Sequence, residues 1–266
     1  MIAPPMLRAL WSYRGFVVGS VKREFQARYS NAILGALWSL LSPLAMIVVY
    51  TVIFAEVMHS KLPGVASQYG YSIYLCAGVL TWGLFAEIVA RGQNVFIEQA
   101  NLIKKISFPR ICLPLIVVFN ALANFAIIFG LFTLFLLASH NFPGLVWFAL
   151  LPVLAVLVLL ATGIGMVAGV LNVFFRDVGQ FLTIAMQFWF WLTPIVYPAS
   201  ILPENVRALL SWNPMAAVIG ACQAILVEGR APDWASLGPA AVLAVLLCVF
   251  GLRLFRKRSG EMVDEL

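Results

Sequence analysis

Residues 144–174 read GLVWFALLPVLAVLVLLATGIGMVAGVLNVF, and none of them carries a charge. A helix needs about 20 mostly apolar residues, at a rise of 1.5 Å each, to cross the roughly 30 Å hydrocarbon core of a bilayer. This stretch exceeds that length and therefore predicts a membrane-spanning helix. The whole chain agrees, because 63% of its residues are hydrophobic and 11% are charged, against roughly 25% charged in soluble domains.

Five further apolar runs are long enough to span a bilayer, so the fold class predicted is an all-α integral membrane protein with six spans in one domain, 1–266. The six spans are 33–57, 71–89, 111–138, 144–174, 178–197 and 237–255. The small-residue stripe Ala161, Gly165 and Gly169 inside the fourth span predicts close helix packing. Asn120, Asn124 and Asn172 predict hydrogen bonds between helices.

The positions of the basic residues predict the orientation. With the N-terminus inside, 14 of the 17 lysines and arginines fall on the inner side, as the positive-inside rule requires. Both termini are then cytoplasmic. The basic residues lie in short segments between apolar runs. This distribution argues against nucleic-acid binding as the explanation of the net charge of +6.

Three segments are neither spans nor ordinary loops. Residues 6–30 predict an amphipathic helix in the inner membrane interface. Residues 94–108, which Pro109 terminates, are amphipathic and suit either docking on a cytoplasmic partner or resting on lipid. Residues 198–235 predict an outer re-entrant segment, because the apolar run 214–227 is too short to span; the alternative is an amphipathic cap on the outer surface.

The chain contains no GxxxxGK[ST] phosphate loop, no HExxH or GxSxG motif and no cluster of cysteine and histidine with metal-ligand spacing. We therefore expect no catalytic residue, no metal and no cofactor in this chain. The run Phe188-Trp-Phe-Trp191 lies within a span, away from the interfaces where aromatic belts lie. Such rings either pack against lipid and helices or stack on the apolar faces of sugars, which would serve a sliding polymer.

An ordered set of short motifs resembles the membrane subunit of ABC-2 type polysaccharide exporters, the family that exports O-antigen, capsule and teichoic acid. The resemblance covers nearly the whole chain. The matching motifs are RYSNAILGALW at 28–38 with Pro43, Gly78 with Trp82, LIK at 102–104 with FPR at 108–110, FRD at 175–177, TPIVYP at 193–198 and NP at 213–214. Many relatives have a proline after the first tyrosine of Tyr71-Ser-Ile-Tyr74, and this chain does not.

The resemblance implies a homodimer in the inner membrane, joined by two copies of a separate nucleotide-binding subunit that binds ATP and magnesium. It implies export of a polysaccharide on a polyprenyl diphosphate lipid, with 94–108 as the coupling helix. The implied coupling residues are Asn101, Leu102, Ile103, Lys104 and Lys105. Arg23 and Arg28 would attract the diphosphate, since arginine matches phosphate oxygens in a bidentate way.

The first and fifth spans would line the channel, and the outer prolines would form a gate. The implied glycan contacts are Trp38, Tyr50, Phe188, Trp189, Trp191 and Tyr197. The implied gate residues are Pro194, Pro198, Pro203, Asn213 and Pro214. Three alternatives stay open: an exporter of a small amphiphile or drug on the same architecture, a secondary carrier, which the scarcity of charge within the spans disfavours, and a membrane scaffold that only anchors a partner.

Overall fold

The computed structural model describes residues 13–29, 41, 45–49, 52–53, 69–105 and 110–265, and within these ranges the chain is helical with no strand. Ten α-helices are numbered in chain order. They are α1 Arg14–Tyr29, α2 Gly70–Glu98, α3 Ala100–Lys105, α4 Cys112–Ala138, α5 Leu150–Phe174, α6 Asp177–Trp191, α7 Glu204–Leu210, α8 Pro214–Glu228, α9 Trp234–Arg258 and α10 Glu261–Glu265.

Four helical segments among the described residues are long and apolar enough to cross a membrane. They are α2, α4, α9, and α5 together with the 3-10 turn Gly144–Ala149 that precedes it. These segments confirm four of the predicted spans. Residues 45–49, within the first predicted span of 33–57, are helical, and most of that span lies outside the described residues.

The fifth predicted span, 178–197, is wrong as a continuous helix. Helix α6 ends at Trp191 after 15 residues, or about 22 Å at 1.5 Å per residue, and residues 192–198 continue without helical structure. Pro194 lacks the N–H that would extend the hydrogen-bond ladder, and its ring clashes with the preceding turn. We call residues 193–198 the proline segment.

The two helices α7 and α8 form a sharply bent pair, with their axes 96° apart. Asn213 caps α8 by accepting a hydrogen bond from the Met215 N–H at 3.0 Å, and Pro214 occupies the first helical turn. Helix α8 packs against α2, α5 and α9, and most of its side chains from Met215 to Leu226 are buried. This burial argues against an amphipathic cap on the outer surface for α8.

Glycines allow α2 and α5 to cross in backbone contact. A Cβ atom built on Gly92 would lie 3.0 Å from the Cα of Gly165, and one built on Gly169 would lie 2.5 Å from the carbonyl oxygen of Gly92. Gly163 makes a similar approach to α9, where a Cβ would lie 2.9 Å from the Cys248 nitrogen. The small-residue stripe predicted as a packing face is confirmed, and Gly92 is its unpredicted counterpart.

Replacing Gly169 with alanine is expected to lower thermal stability, because the added methyl group would meet backbone and a helix must shift. Overpacking of this kind costs about 1–3 kcal/mol. Gly130→Ala in α4 is the matched control, since nothing lies within 4 Å of its built Cβ. Thermal unfolding in detergent should show a lower Tm for Gly169→Ala and an unchanged or higher Tm for Gly130→Ala. Equal Tm values for the two variants would contradict the backbone contact.

The two ends of the helix bundle differ in charge. We call the end that carries Arg91, Arg110 and Arg258 the basic end, and the end that carries the proline segment the proline end. All described lysines and arginines except Arg207 and Arg230 lie on helices or turns at the basic end. The structure therefore collects the basic residues at one end of the bundle, as the positive-inside pattern requires.

Candidate functional site: a basic end, an aromatic face and a proline end

A charged network at the basic end joins α1, α2 and α4. Arg91 pairs with Glu24 of α1 and lies 3.6 Å from Glu87 one turn earlier. Asn120 donates to Glu24 at 2.5 Å and Asn124 donates to Glu87 at 3.0 Å. Glu87 and Arg91 stand four residues apart on one helix, a spacing that favours an ion pair. The third partner, Glu24, comes from a helix distant in sequence, which only the fold brings near.

A cavity of about 360 Å³ lies beside this network, between α1, α2 and α4. Arg23, Glu24 and Arg91 line it, and the exposed Arg23 guanidinium donates to Ser20 at 3.1 Å. The predicted diphosphate residue Arg23 thus stands at an open polar cavity at the basic end. The other predicted diphosphate residue, Arg28, belongs to α1, but its side chain lies outside the described residues.

The predicted coupling segment, 94–108, is not one separate helix. Helix α2 runs without interruption to Glu98, so residues 94–98 belong to it; the separate helix α3 is Ala100–Lys105. Residues 106–109 and the Lys105 side chain lie outside the described part of the chain. On α3, Ile103 is buried and Leu102 is half-buried, whereas Asn101 and Lys104 are exposed. Among the described side chains of α3, Asn101 and Lys104 are therefore the most accessible to a partner.

The C-terminal helix α10 packs against the buried side of α3. The sequence did not predict this arrangement. Met262 is 1% exposed and packs in the same cluster as Ile103, Val95 and Phe255. Arg110 donates to the Ser259 carbonyl, and Arg258 pairs with Glu261. The position of the predicted coupling helix therefore depends on the end of the chain.

Tyrosine hydroxyl groups of α2 satisfy the non-helical backbone of the proline segment. The Tyr74 hydroxyl group shares its single proton between the carbonyls of Pro194 at 3.0 Å and Tyr197 at 2.9 Å, and Tyr71 donates to that of Val196 at 2.7 Å. Gln223 of α8 also donates to the Pro194 carbonyl, at 3.3 Å. Non-helical backbone at membrane depth requires such internal partners because lipid provides none. The two tyrosines three residues apart on one helical face were the available sequence signal.

Asn213 fastens the proline segment to α6 and α8. Its Oδ1 accepts from the Trp189 indole N–H at 2.8 Å, and its Nδ2 donates to Thr193 at 3.0 Å. The predicted gate residues Asn213 and Pro214 therefore lie at the junction of three elements. Of the other predicted gate residues, Pro194 and Pro198 belong to the proline segment, and Pro203 precedes α7.

The aromatic run of α6 divides between two faces. Trp189 is half-buried and packs edge-on against Trp82 and Phe85, with ring centroids 6.2 and 5.3 Å apart. Phe188 and Trp191 instead are 67% and 64% exposed.

The exposed rings of Phe188 and Trp191 lie on one face of α6. They share it with Phe181 and Ile184, which are also exposed and recur at the three- and four-residue spacing of one helical face. We call Phe181, Ile184, Phe188 and Trp191 the aromatic face.

The remaining predicted glycan contacts have different positions. Tyr197 is half-buried, and its hydroxyl group donates to the Trp191 carbonyl at 2.7 Å. Trp38 and Tyr50 lie outside the described residues. The roles of all six predicted glycan contacts stay predictions; the structure places Trp189 in helix packing and presents Phe188 and Trp191 outward.

The sequence profile of the ABC-2 type transporter family matches residues 17–227. An O-antigen export system permease protein, RfbA, from Myxococcus xanthus is 31% identical over 98% of this chain and 99% of its own length. A protein of the same name from Klebsiella pneumoniae is 29% identical over 92% of each chain. The polysialic acid transport protein KpsM of Escherichia coli is 24% identical over 91% of this chain and 93% of its own length.

Proposed function

This chain belongs to the ABC-2 type transporter family, and from that premise we propose that it is the membrane subunit of an ATP-driven polysaccharide exporter. Its similarity to permeases of O-antigen and polysialic acid transport runs over nearly its whole length. The single observation on the structure that carries the proposal is the aromatic face of α6, which stands exposed along the bundle. Aromatic rings stack on any sugar ring without fixing one position.

The proposed substrate is a polysaccharide on a polyprenyl diphosphate lipid, of the O-antigen or capsule type. It moves from the basic end, in the cytoplasm, to the proline end on the outer face of the inner membrane. Arg23, exposed beside its cavity, would attract the diphosphate. The proline segment and the α7–α8 pair would gate the far side, held by the hydroxyl groups of Tyr71 and Tyr74.

The proposed partners are a second copy of this chain and two copies of a separate ABC nucleotide-binding subunit. ATP and magnesium would bind to that subunit, because this chain has no phosphate loop. The exposed side of α3, with Asn101 and Lys104, is the proposed docking surface. Both termini would lie in the cytoplasm.

The deciding experiment reconstitutes this chain with its nucleotide-binding partner in lipid vesicles and measures ATP-dependent transfer of lipid-linked polysaccharide across the bilayer. We expect transfer with ATP and none with a partner that cannot hydrolyse ATP. A parallel assay with hydrophobic dyes distinguishes an exporter of small amphiphiles. Transport of dyes without any transfer of lipid-linked polysaccharide would overturn the proposal.

Replacing both Phe188 and Trp191 with alanine is expected to raise the half-saturating concentration of polysaccharide about tenfold, since each stacked ring contributes about 0.5–1.5 kcal/mol. Tm should not change, because both side chains are already exposed. Phe250→Ala in α9, which is 55% exposed, is the matched control on another face. A half-saturating concentration that stays constant in the double variant, or rises equally in the control, would contradict a role for the aromatic face.

A further inference from the structure

A second cavity, of about 470 Å³, opens at the basic end between α2, α5 and the start of α6. It is an open cleft at the surface of the bundle and not an enclosed cavity. Five polar side chains outnumber the apolar ones around it. They are Gln93, Asn94, Asn172, Gln180 and Thr183. We call this space the amide cavity.

Asn172 holds together the helices that line the amide cavity. Its Nδ2 donates to the Gln93 carbonyl at 2.9 Å and to Asn94 Oδ1 at 3.2 Å, while its Oδ1 accepts from the Gly179 N–H at 3.1 Å. These bonds tie α2, α5 and α6 at one point. Gly179 is required there, since a Cβ would lie 2.9 Å from Asn172 Oδ1. The site is therefore held by hydrogen bonds between three helices.

Gln93 supplies an acceptor that lacks a partner. The residue is 6% exposed, and its Nε2 donates to Thr183 at 3.4 Å. Its Oε1 is buried and, among the described residues, has no hydrogen-bond partner. Leaving a buried acceptor unsatisfied costs about 1–3 kcal/mol, so a donor from water or from a bound molecule would stabilise this amide.

The charges of the residues that line the cavity indicate which class of molecule could donate this hydrogen bond. Arg176 is the only charged residue among the described residues that line the cavity, and no carboxylate faces it. A cationic ligand would meet Arg176, and an apolar one would strip water from the amides without replacing their hydrogen bonds. A neutral molecule with many hydroxyl groups avoids both penalties, because Arg176 does not repel it and its hydroxyl groups replace the hydrogen bonds of the displaced water. Ile97 and Ile184 at the edge offer contact to the apolar face of a ring.

We propose that the amide cavity is a sugar-binding site, in which Gln93 Oε1 accepts a hydroxyl hydrogen bond and Gln180 and Arg176 contact the same unit. The inference rests on the proposed function, because it assigns to one sugar unit of the exported glycan a position at the basic end. Ile184 belongs both to this cavity and to the aromatic face, so the bound unit lies where the stacking surface begins.

The test compares Gln93→Leu with the wild-type complex. Leucine removes the unsatisfied oxygen at similar volume, so a binding role predicts an unchanged or higher Tm with weaker glycan binding. A merely structural role predicts a lower Tm. Gln180→Ala is the second variant, since Gln180 is exposed and its truncation should leave folding intact. Gln26→Leu, an exposed glutamine of α1 outside the cavity, is the control.

Two readouts are measured on the reconstituted complex. The first is the concentration of lipid-linked polysaccharide that gives half-maximal export. The second is equilibrium binding of the same polysaccharide after mild acid has removed its lipid diphosphate. We expect at least a fivefold weakening of both in Gln93→Leu and Gln180→Ala, with Gln26→Leu unchanged.

The outcomes separate the inference from the function on which it rests. Wild-type export with unchanged constants in both cavity variants would overturn the sugar site and leave the proposed function standing. A loss confined to the lipid-linked form would also overturn it, because the diphosphate would then be the bound group. A wild-type complex that exports no glycan would refute the function, and failure to bind the delipidated polysaccharide would refute the site.

Discussion

Replacing Arg91 with methionine is expected to destabilise the protein by about 1–2 kcal/mol and to reduce polysaccharide export at least tenfold. Arg91 stands between Glu24 and Glu87, so its removal leaves two carboxylates facing each other in a partly buried site. Removal of one partner costs about 3–5 kcal/mol when an ion pair is buried, whereas an exposed pair contributes about 0.2–1 kcal/mol. We expect a value between these because the Glu24 side chain is 45% exposed and the Arg91 side chain is 25% exposed. Export should fall because α1, which carries Arg23, loses its charged attachment to α2.

A triple variant tests whether the charged network is the cause of the lost stability. Adding Glu24→Gln and Glu87→Gln to Arg91→Met removes all three charges, and replacing a whole buried ionic network by neutral groups is often close to neutral in stability. The triple variant should therefore recover most of the lost Tm. Arg253→Met, at an exposed position of α9, is the control for loss of a positive charge. A triple variant as unstable as Arg91→Met would refute the network as the cause.

Reversing the charge of Lys104 is expected to weaken binding of the nucleotide-binding subunit and to reduce export. Lys104 and Asn101 are the exposed side chains of the described part of α3, whereas Ile103 packs inward on Met262. Lys104→Glu should weaken binding of the nucleotide-binding subunit at least tenfold, or about 1.4 kcal/mol, without changing Tm. Binding is measured by titrating the purified partner onto the chain in lipid nanodiscs. Export in vesicles should fall in parallel.

Lys257→Glu is the matched control for this variant, since Lys257 is an exposed lysine at the end of α9. Substitution of Ile103 is a poor test of docking because the loss of a buried aliphatic side chain costs about 2–5 kcal/mol by itself. If Lys104→Glu and Lys257→Glu bind the partner equally well, α3 is not the docking surface.

Several features could be predicted from the sequence because each of them depends mainly on the residues of a single helix. The bounds of α4 and of the turn with α5 agree with the predicted spans to within one residue, since length and apolar character decide insertion in a bilayer. Asn120, Asn124 and Asn172 were predicted to bond between helices, and each does. A buried amide in an apolar span has few other partners.

Other features depended on which helices become neighbours. The predicted fifth span failed beyond Trp191, because its apolar composition hid a backbone break that tyrosines of α2 satisfy. The predicted coupling segment 94–108 divides between two helices, because α2 continues as a helix to Glu98; its coupling role stays a prediction. Among the four adjacent aromatics, nothing in the sequence separated the packed Trp189 from the exposed Phe188 and Trp191.

The sequence by itself determined that the chain lies in a membrane, where four of its spans run and which end gathers the basic residues. Hydropathy and charge are sums over local residues, and the bilayer responds to them one helix at a time. Tertiary structure alone decided that Glu24 reaches Arg91, that Met262 supports Ile103 and that Gln93 opens into a cavity. Each of these contacts joins residues far apart in the chain, and hydrogen bonds and packing act only between atoms that the fold has already brought within a few ångströms.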